Sequence, residues 1–176
     1  IAGSTTAMSG TYDVTITIGN CFATASTSVT VNALPLPNPT NTGAYCQGDA
    51  ILLNVGAFST YTWSGPGGYA SSQQNPTISN SAVSNSCAYT VIVSDANGCI
   101  NSAVTNVVVN PLPVVTVNNP VICENGNTTL SANGGATYAW SGPGGFTSAS
   151  QNASVLNASL SNAGQYTVVV TSAAGC

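Results

Sequence analysis

The residues best equipped for chemistry in this chain are six cysteines. Cys46 and Cys99 stand 53 positions apart, as do Cys123 and Cys176, and Cys21 and Cys87 are additional. Such thiols either pair as disulfides or hold zinc. Zinc sites bring thiolates in close pairs or add histidine, whereas these cysteines are scattered singly in a chain with no histidine. The pattern reads as disulfides, which small secreted domains use to supplement modest cores and cytosolic proteins seldom carry.

Little else could react. Without Lys, Arg or His, a Ser or Cys nucleophile has no ordinary base and an oxyanion has no cation to hold it. The acids are Asp13, Asp49, Asp95 and Glu124. No two of them converge as glycoside hydrolysis requires, and calcium would need several close oxygens. They read as turn formers and solubilising charges, so no catalytic residue, cofactor or metal site is expected and the chain is not read as an enzyme. Trp63, Trp140, Tyr69 and Phe146 would suit an aromatic platform for sugars, but their recurrence at matching places is what core residues show. Gly65-Pro66-Gly67-Gly68 is a tight turn and not a phosphate loop, because neither helix nor Lys follows it. Asn127-Thr128-Thr129, Asn152-Ala153-Ser154 and Asn157-Ala158-Ser159 match glycosylation acceptors, as an Asn- and Ser-rich chain does by chance.

Charged residues make up 2 % of the chain, against roughly 25 % in ordinary proteins. The hydrophobic share is 43 %, so cores can form and the chain does not have the composition of a disordered one. Ser (22), Thr (22) and Asn (20) supply 64 of 176 residues, which makes the surface one of neutral hydroxyls and amides. With no cation to neutralise phosphates, nucleic acid and anionic membrane surfaces are poor partners. No apolar run is long enough to span a bilayer.

The elements that hold these residues repeat at a spacing of 77. Tyr12, Tyr89 and Tyr166 obey it, as do Cys46 and Cys123, Trp63 and Trp140, and the tracts Trp63-Ser64-Gly65-Pro66-Gly67-Gly68 and Trp140-Ser141-Gly142-Pro143-Gly144-Gly145. A fixed period of this size describes an array of structural units. By this register residues 1–33 are the last part of one repeat, from the end of strand E to strand G. Residues 34–110 are a complete repeat, and 111–176 are a third that lacks its last strand, so a longer natural polypeptide is expected.

Each repeat reads as short strands. In the third, residues 114–117, 128–132, 137–141, 155–156 and 166–171 are β-branched or aromatic runs between Asn, Gly and Pro clusters. Asp95-Ala96-Asn97-Gly98 joins residues 89–94 to 101–109 as a hairpin, since Asn and Gly tolerate positive φ. About seven short strands in such a repeat describe a small antiparallel sandwich. Short Pro linkers, Ala33-Leu34-Pro35-Leu36-Pro37 and Asn110-Pro111-Leu112-Pro113, argue for stiffness between repeats.

Asn162-Ala163-Gly164-Gln165-Tyr166-Thr167-Val168 resembles the entry to strand F of the immunoglobulin-like fold, where a corner Tyr bonds back to the backbone. Trp63 and Trp140 then look like the core Trp of strand C. Val91 and Val168, with Val55 and Ala132 in strand B, occupy the usual disulfide positions, so aliphatic packing replaces that bridge. The chain is also similar throughout to the tandem immunoglobulin-like repeats of large secreted and cell-surface, adhesin-type proteins of Bacteroidetes-type bacteria. That resemblance rests on Cys46-Gln47-Gly48, Cys123-Glu124-Asn125-Gly126, the Trp-Ser-Gly-Pro-Gly-Gly tracts, the Asn-Gly-Cys and Ala-Gly-Cys segments and the Val-x-Val-Asn-x-Leu-Pro that follows.

Two disulfide schemes stand open. One bridge per repeat, Cys46–Cys99 and Cys123–Cys176, would contribute about 4 kcal/mol each in the chain-entropy model. In an immunoglobulin topology, however, the start of strand B and the hairpin after strand F are separated by about 20 Å. The alternative staples neighbouring repeats through Cys46–Cys176, with Cys99 and Cys123 paired outside the segment. Cys87 links another chain or takes Cys46, and Cys21 has no partner in the first scheme. Tyr12, Tyr89, Tyr166, Trp63 and Trp140 form the structural core. The expected molecule is all-β, a rod-like array of immunoglobulin-like sandwiches, secreted to the cell surface as the stalk or filament body of a bacterial adhesin. Its partners are neighbouring repeats, other copies of itself and surface glycans. A glycan-binding module and a spacer in a larger secreted enzyme are the alternatives.

Overall fold

Runs of β-branched residues broken by Asn, Gly and Pro favour short strands. The computed structural model, which describes residues 3–176, contains sixteen of them and five single-turn 3-10 segments, with no α-helix among the described residues. In chain order the strands are β1 (Gly10–Ile18), β2 (Cys21–Val29), β3 (Thr40–Asn41), β4 (Ala44–Cys46), β5 (Ile51–Asn54), β6 (Thr60–Ser64), β7 (Ala70–Ser71) and β8 (Thr77–Ile78). They continue as β9 (Cys87–Ser94), β10 (Ile100–Asn110), β11 (Thr116–Val117), β12 (Thr128–Asn133), β13 (Thr137–Gly142), β14 (Phe146–Ser148), β15 (Asn152–Val155) and β16 (Thr167–Thr171). No helix among the described residues is long and apolar enough to cross a membrane.

The sheet orders are β1-β2, β3-β5-β8, β4-β10-β9-β6-β7, β11-β12-β15 and β14-β13-β16. In residues 34–110 the set β3-β5-β8 corresponds to strands A, B and E, and β10-β9-β6-β7 to strands G, F, C and C′. That is the immunoglobulin-like arrangement. The sets β11-β12-β15 and β14-β13-β16 follow the same strand order as β3-β5-β8 and β7-β6-β9. Strand β4 runs parallel to β10, with Ala44, Tyr45 and Cys46 registered on Val108, Val109 and Asn110. The expected strands at 114–117 and 155–156 are shifted, and β14 is additional; short edge strands are set by tertiary pairing more than by local propensity.

Contacts divide the chain into two compact units whose limits do not follow the 77-residue repeats. The first comprises residues 1–41, 53–76 and 88–106. It includes the β1–β2 hairpin, paired from Gly10↔Val29 to Ile18↔Cys21 across a two-residue turn that starts at Gly19, φ +62°. A positive φ at the first turn position suits glycine. Tyr12, expected in the core, is 42 % exposed, because among the described residues the ribbon has no facing sheet and its side chains stand in solvent. In the same unit Trp63 of β6 is registered on Val91 of β9, and Trp63, Tyr89, Val91 and Val93 are all buried. Alternate residues of β9 point inward, as a strand with one covered face requires. Val55 is also buried.

The second unit comprises residues 42–52, 77–87 and 107–176. Its core gathers Leu130 and Ala132 of β12, Trp140 of β13, Ala153 and Val155 of β15, Ala158 and Val170, with Tyr138, Phe146, Tyr166 and Val168 packed against them. Ala132 and Val168 thus occupy an aliphatic centre with no cysteine in it. Among the described residues no group of three or more His, Cys, Asp or Glu could hold a metal ion.

Candidate functional site

The covalent feature of the molecule is a disulfide between Cys46 and Cys176, whose Cα atoms are 5.4 Å apart and 130 positions apart in sequence. Cys46 ends β4, and the turn after it is tied down from several sides. Asp49 accepts the Cys46 N–H at its carboxylate (2.8 Å) and donates its own N–H to the Cys46 carbonyl (2.9 Å). The Ser81 hydroxyl donates to that carbonyl (3.2 Å), and the Gln47 N–H reaches the Asn110 carbonyl (2.8 Å). Asp49 is therefore a turn former. On the other side, the turn that ends at Cys176 is closed by Ser172, whose hydroxyl accepts the Cys176 N–H (3.1 Å) and whose N–H meets the Cys176 carbonyl (2.6 Å). Two rigid turns present the two sulfurs at disulfide range.

This overturns one bridge per repeat. Cys46 is registered on Asn110, the last residue of the eleven-residue strand that starts directly after Cys99, and Cys176 is already bonded. Neither Cys46–Cys99 nor Cys123–Cys176 forms. Cys21, Cys87, Cys99 and Cys123 are thiols here, Cys99 half-buried and the others exposed. The proposal that Cys87 takes Cys46 is excluded for the same reason.

The recurrent Tyr and Trp have structural jobs. The Tyr166 hydroxyl donates to the Asn162 carbonyl (2.9 Å), and Tyr12 donates to Met8 in the same way (2.8 Å), the backbone bond of a tyrosine corner. Trp140 and Trp63 are buried, and their indole N–H groups donate to the carbonyls of Ser150 (3.0 Å) and Gln74 (3.3 Å). Buried rings cannot serve as a sugar platform. Tyr69 meets Tyr89 edge-on at 5.6 Å, and Phe146 meets Tyr166 at 5.2 Å. Burial pushes the Tyr69 phenol above its ordinary pKa, with the Ser71 hydrogen bond opposing. The first glycine of each Gly-Pro-Gly-Gly tract explains itself here. Gly65 and Gly142 have extended backbones that any residue could adopt (φ −164° and −170°), but a Cβ would run into the rings of Tyr89 and Tyr166.

The other acids are also turn and strand pieces. Asp95 accepts the N–H groups of Asn97 (2.8 Å) and Cys99 (2.9 Å) at one carboxylate oxygen, and Asp13 accepts the Ser26 hydroxyl (2.6 Å). The Asn41 amide donates to the Thr105 hydroxyl (2.8 Å) and the Asn106 carbonyl (2.9 Å), and that of Asn101 to the Pro35 carbonyl (2.9 Å). Sequence reasoning missed this use of amide side chains where other proteins place charged ones. It also missed the parallel β4–β10 pair. The signal available for that pair was the apolar Tyr45 beside Cys46, matched by Ile122 beside Cys123.

No family model and no curated protein matches the chain. Among solved structures it is similar to the amphioxus IgVJ-C2 molecule, at 17 % identity and a TM-score of 0.35 over 74 % of this chain and 93 % of that one. It is also similar to murine CEACAM1b, at 14 % and 0.39 over 77 % and 93 %. A third is the set of three N-terminal domains of the highly immunogenic outer capsid protein of bacteriophage RB49, at 18 % and 0.41 over 75 % and 52 %. Likeness at this level says nothing of what the chain binds, and the immunoglobulin-like assignment rests on the strand orders and the tyrosine corner.

Proposed function

We propose that the chain is a structural, non-catalytic segment of an extracellular rod, the stalk or filament body of a bacterial surface adhesin. In this reading residues 1–33, 34–110 and 111–176 belong to successive immunoglobulin-like repeats. The observation that carries it is the Cys46–Cys176 bond, which ties the end of β4 to the turn after β16, segments that this reading assigns to successive repeats. A bond between repeats limits their relative motion, which is the property a stalk needs and a set of independent binding modules does not. The oxidising chemistry of that bond supports an extracellular location, and the neutral surface supports a role that avoids nonspecific partners. Burial of Trp63 and Trp140 counts against the glycan platform.

Small-angle scattering of the purified chain with and without reductant tests the reading. A stiff, elongated particle that becomes more flexible when Cys46–Cys176 is reduced, or replaced by Cys46→Ser, is the expected result. Flexible beads in both states would sink it.

A further inference from the structure

Strand β4 is short, yet it sets the position of a covalent link. Its residues Ala44, Tyr45 and Cys46 are registered on Val108, Val109 and Asn110 of β10. So short a strand has little backbone pairing to hold its register, and a slip of one residue would turn Cys46 to the opposite face. Cys46 nevertheless meets Cys176 with the Cα atoms at 5.4 Å, and a disulfide tolerates separations only up to about 7 Å. Something has to pin the strand.

The residue before Cys46 can do so. Tyr45 is buried, and its hydroxyl is a meeting point for polar groups from two places in the chain. It accepts the Thr42 N–H (3.0 Å) and the Thr42 hydroxyl (3.0 Å). It also accepts the Leu52 N–H (3.3 Å) and donates to the Leu52 carbonyl (3.3 Å). Leu52 lies in β5, which belongs to a different sheet from β4, so the phenol fastens β4 to a strand with which it does not pair. The Asn110 amide adds a bond to the Tyr45 carbonyl (3.4 Å). Neighbours on a strand point to opposite faces, so fixing Tyr45 fixes where Cys46 points.

We infer that Tyr45 is the positioning residue for the Cys46–Cys176 bond: its hydroxyl, gripped by Thr42 and Leu52, pins the register of β4 and keeps the Cys46 sulfur within reach of its partner. Apolar contact between the ring and β10 is non-directional and tolerates a slide, so the hydroxyl and not the bulk of the ring is the group responsible. Such coupling is reciprocal. What the phenol contributes to closing the bond, the closed bond contributes to seating the phenol. The role is the same whether or not the chain serves as a stalk.

The test uses the 176-residue chain with Cys21→Ser, Cys87→Ser, Cys99→Ser and Cys123→Ser, equilibrated in mixtures of reduced and oxidised glutathione. The Cys46 and Cys176 thiols lose two protons and two electrons as they join, and one glutathione disulfide is reduced to two thiols. The bonded fraction, read by mass spectrometry after alkylation of free thiols, gives the equilibrium constant for closure. Tyr45→Phe keeps the ring and removes the hydroxyl, and should lower that constant about fivefold, as loss of a buried hydrogen bond predicts. Tyr61→Phe is the control, because the Tyr61 hydroxyl of β6 also holds backbone, accepting the Phe58 N–H (2.6 Å). It should lower the urea midpoint of the reduced chain and leave closure unchanged. A Tyr45→Phe chain that loses stability in urea but closes like its parent shows a merely structural hydroxyl and overturns the inference. Equal loss of closure in both variants overturns it as well. Near-UV dichroism of Trp63 and Trp140 checks the fold; if Tyr45→Phe does not fold, Thr42→Val, which removes one hydroxyl from the same cluster, is judged by the same ratio.

Discussion

At the scale of single residues, the contact between Gly142 and Tyr166 shows how a repeated tract constrains itself. The backbone at Gly142 is extended and unstrained, so only the ring of Tyr166 forbids a larger residue there. Gly142→Ala is expected to destabilise by about 1–3 kcal/mol as an overpacking change. In a Tyr166→Ala background most of that cost should vanish, and a double-mutant cycle in urea measures the difference. Additive effects would show that the ring is not the cause. Tyr166→Phe, which removes only the bond to the Asn162 carbonyl, should cost about 1 kcal/mol. The Trp-Ser-Gly-Pro-Gly-Gly tract is legible as a turn, but its first glycine makes room for a tyrosine far along the chain, Tyr166 for Gly142, a contact that only tertiary packing creates.

At the scale of elements, legibility followed burial. The hairpin of β9 and β10, with its Asp95 turn, and strands β12 and β13 lie within two residues of where alternation and turn residues put them. These strands cover a core, so pattern and packing agree. The exceptions are β11, β14 and β15, two to four residues long, whose limits depend on partners supplied from elsewhere. Tyr12 is the opposite case. Its repeat register and its bond to Met8 match those of a core tyrosine, yet the ribbon around it is open to solvent. Amide exchange should therefore separate the elements: β1 and β2 are expected to exchange at least a hundredfold faster than the central β13, because an uncovered ribbon opens with little loss of apolar contact. Equal protection would mean that something covers the ribbon.

At the scale of the whole molecule, four carboxylates on 176 residues leave almost no electrostatics to screen. Raising NaCl from about 10 mM to 200 mM shortens the screening length about fourfold. The melting temperature should nevertheless move far less than the few degrees that ~1 kcal/mol would produce in a chain of this size. A large salt dependence would show charge coupling that the sequence does not provide. The candidate site was only half legible at this scale. The six cysteines were visible, but two pairing schemes fitted the 77-residue period equally well, because equal spacing follows from repetition whichever partners are chosen. The register of Cys46 on Asn110 separates them, since it puts a whole strand between Cys46 and Cys99.

The Cys46–Cys176 bond also has a consequence for tension. Fully extended, the 130 residues between its ends would span roughly 440 Å at about 3.4 Å per residue. For a pull applied outside that loop, the shortest covalent path runs through the two sulfurs, and none of this length can be paid out while the bond is intact. Load then falls on the segments outside the loop, among them the β1–β2 ribbon, while the strands inside it are shielded from stretching along the chain.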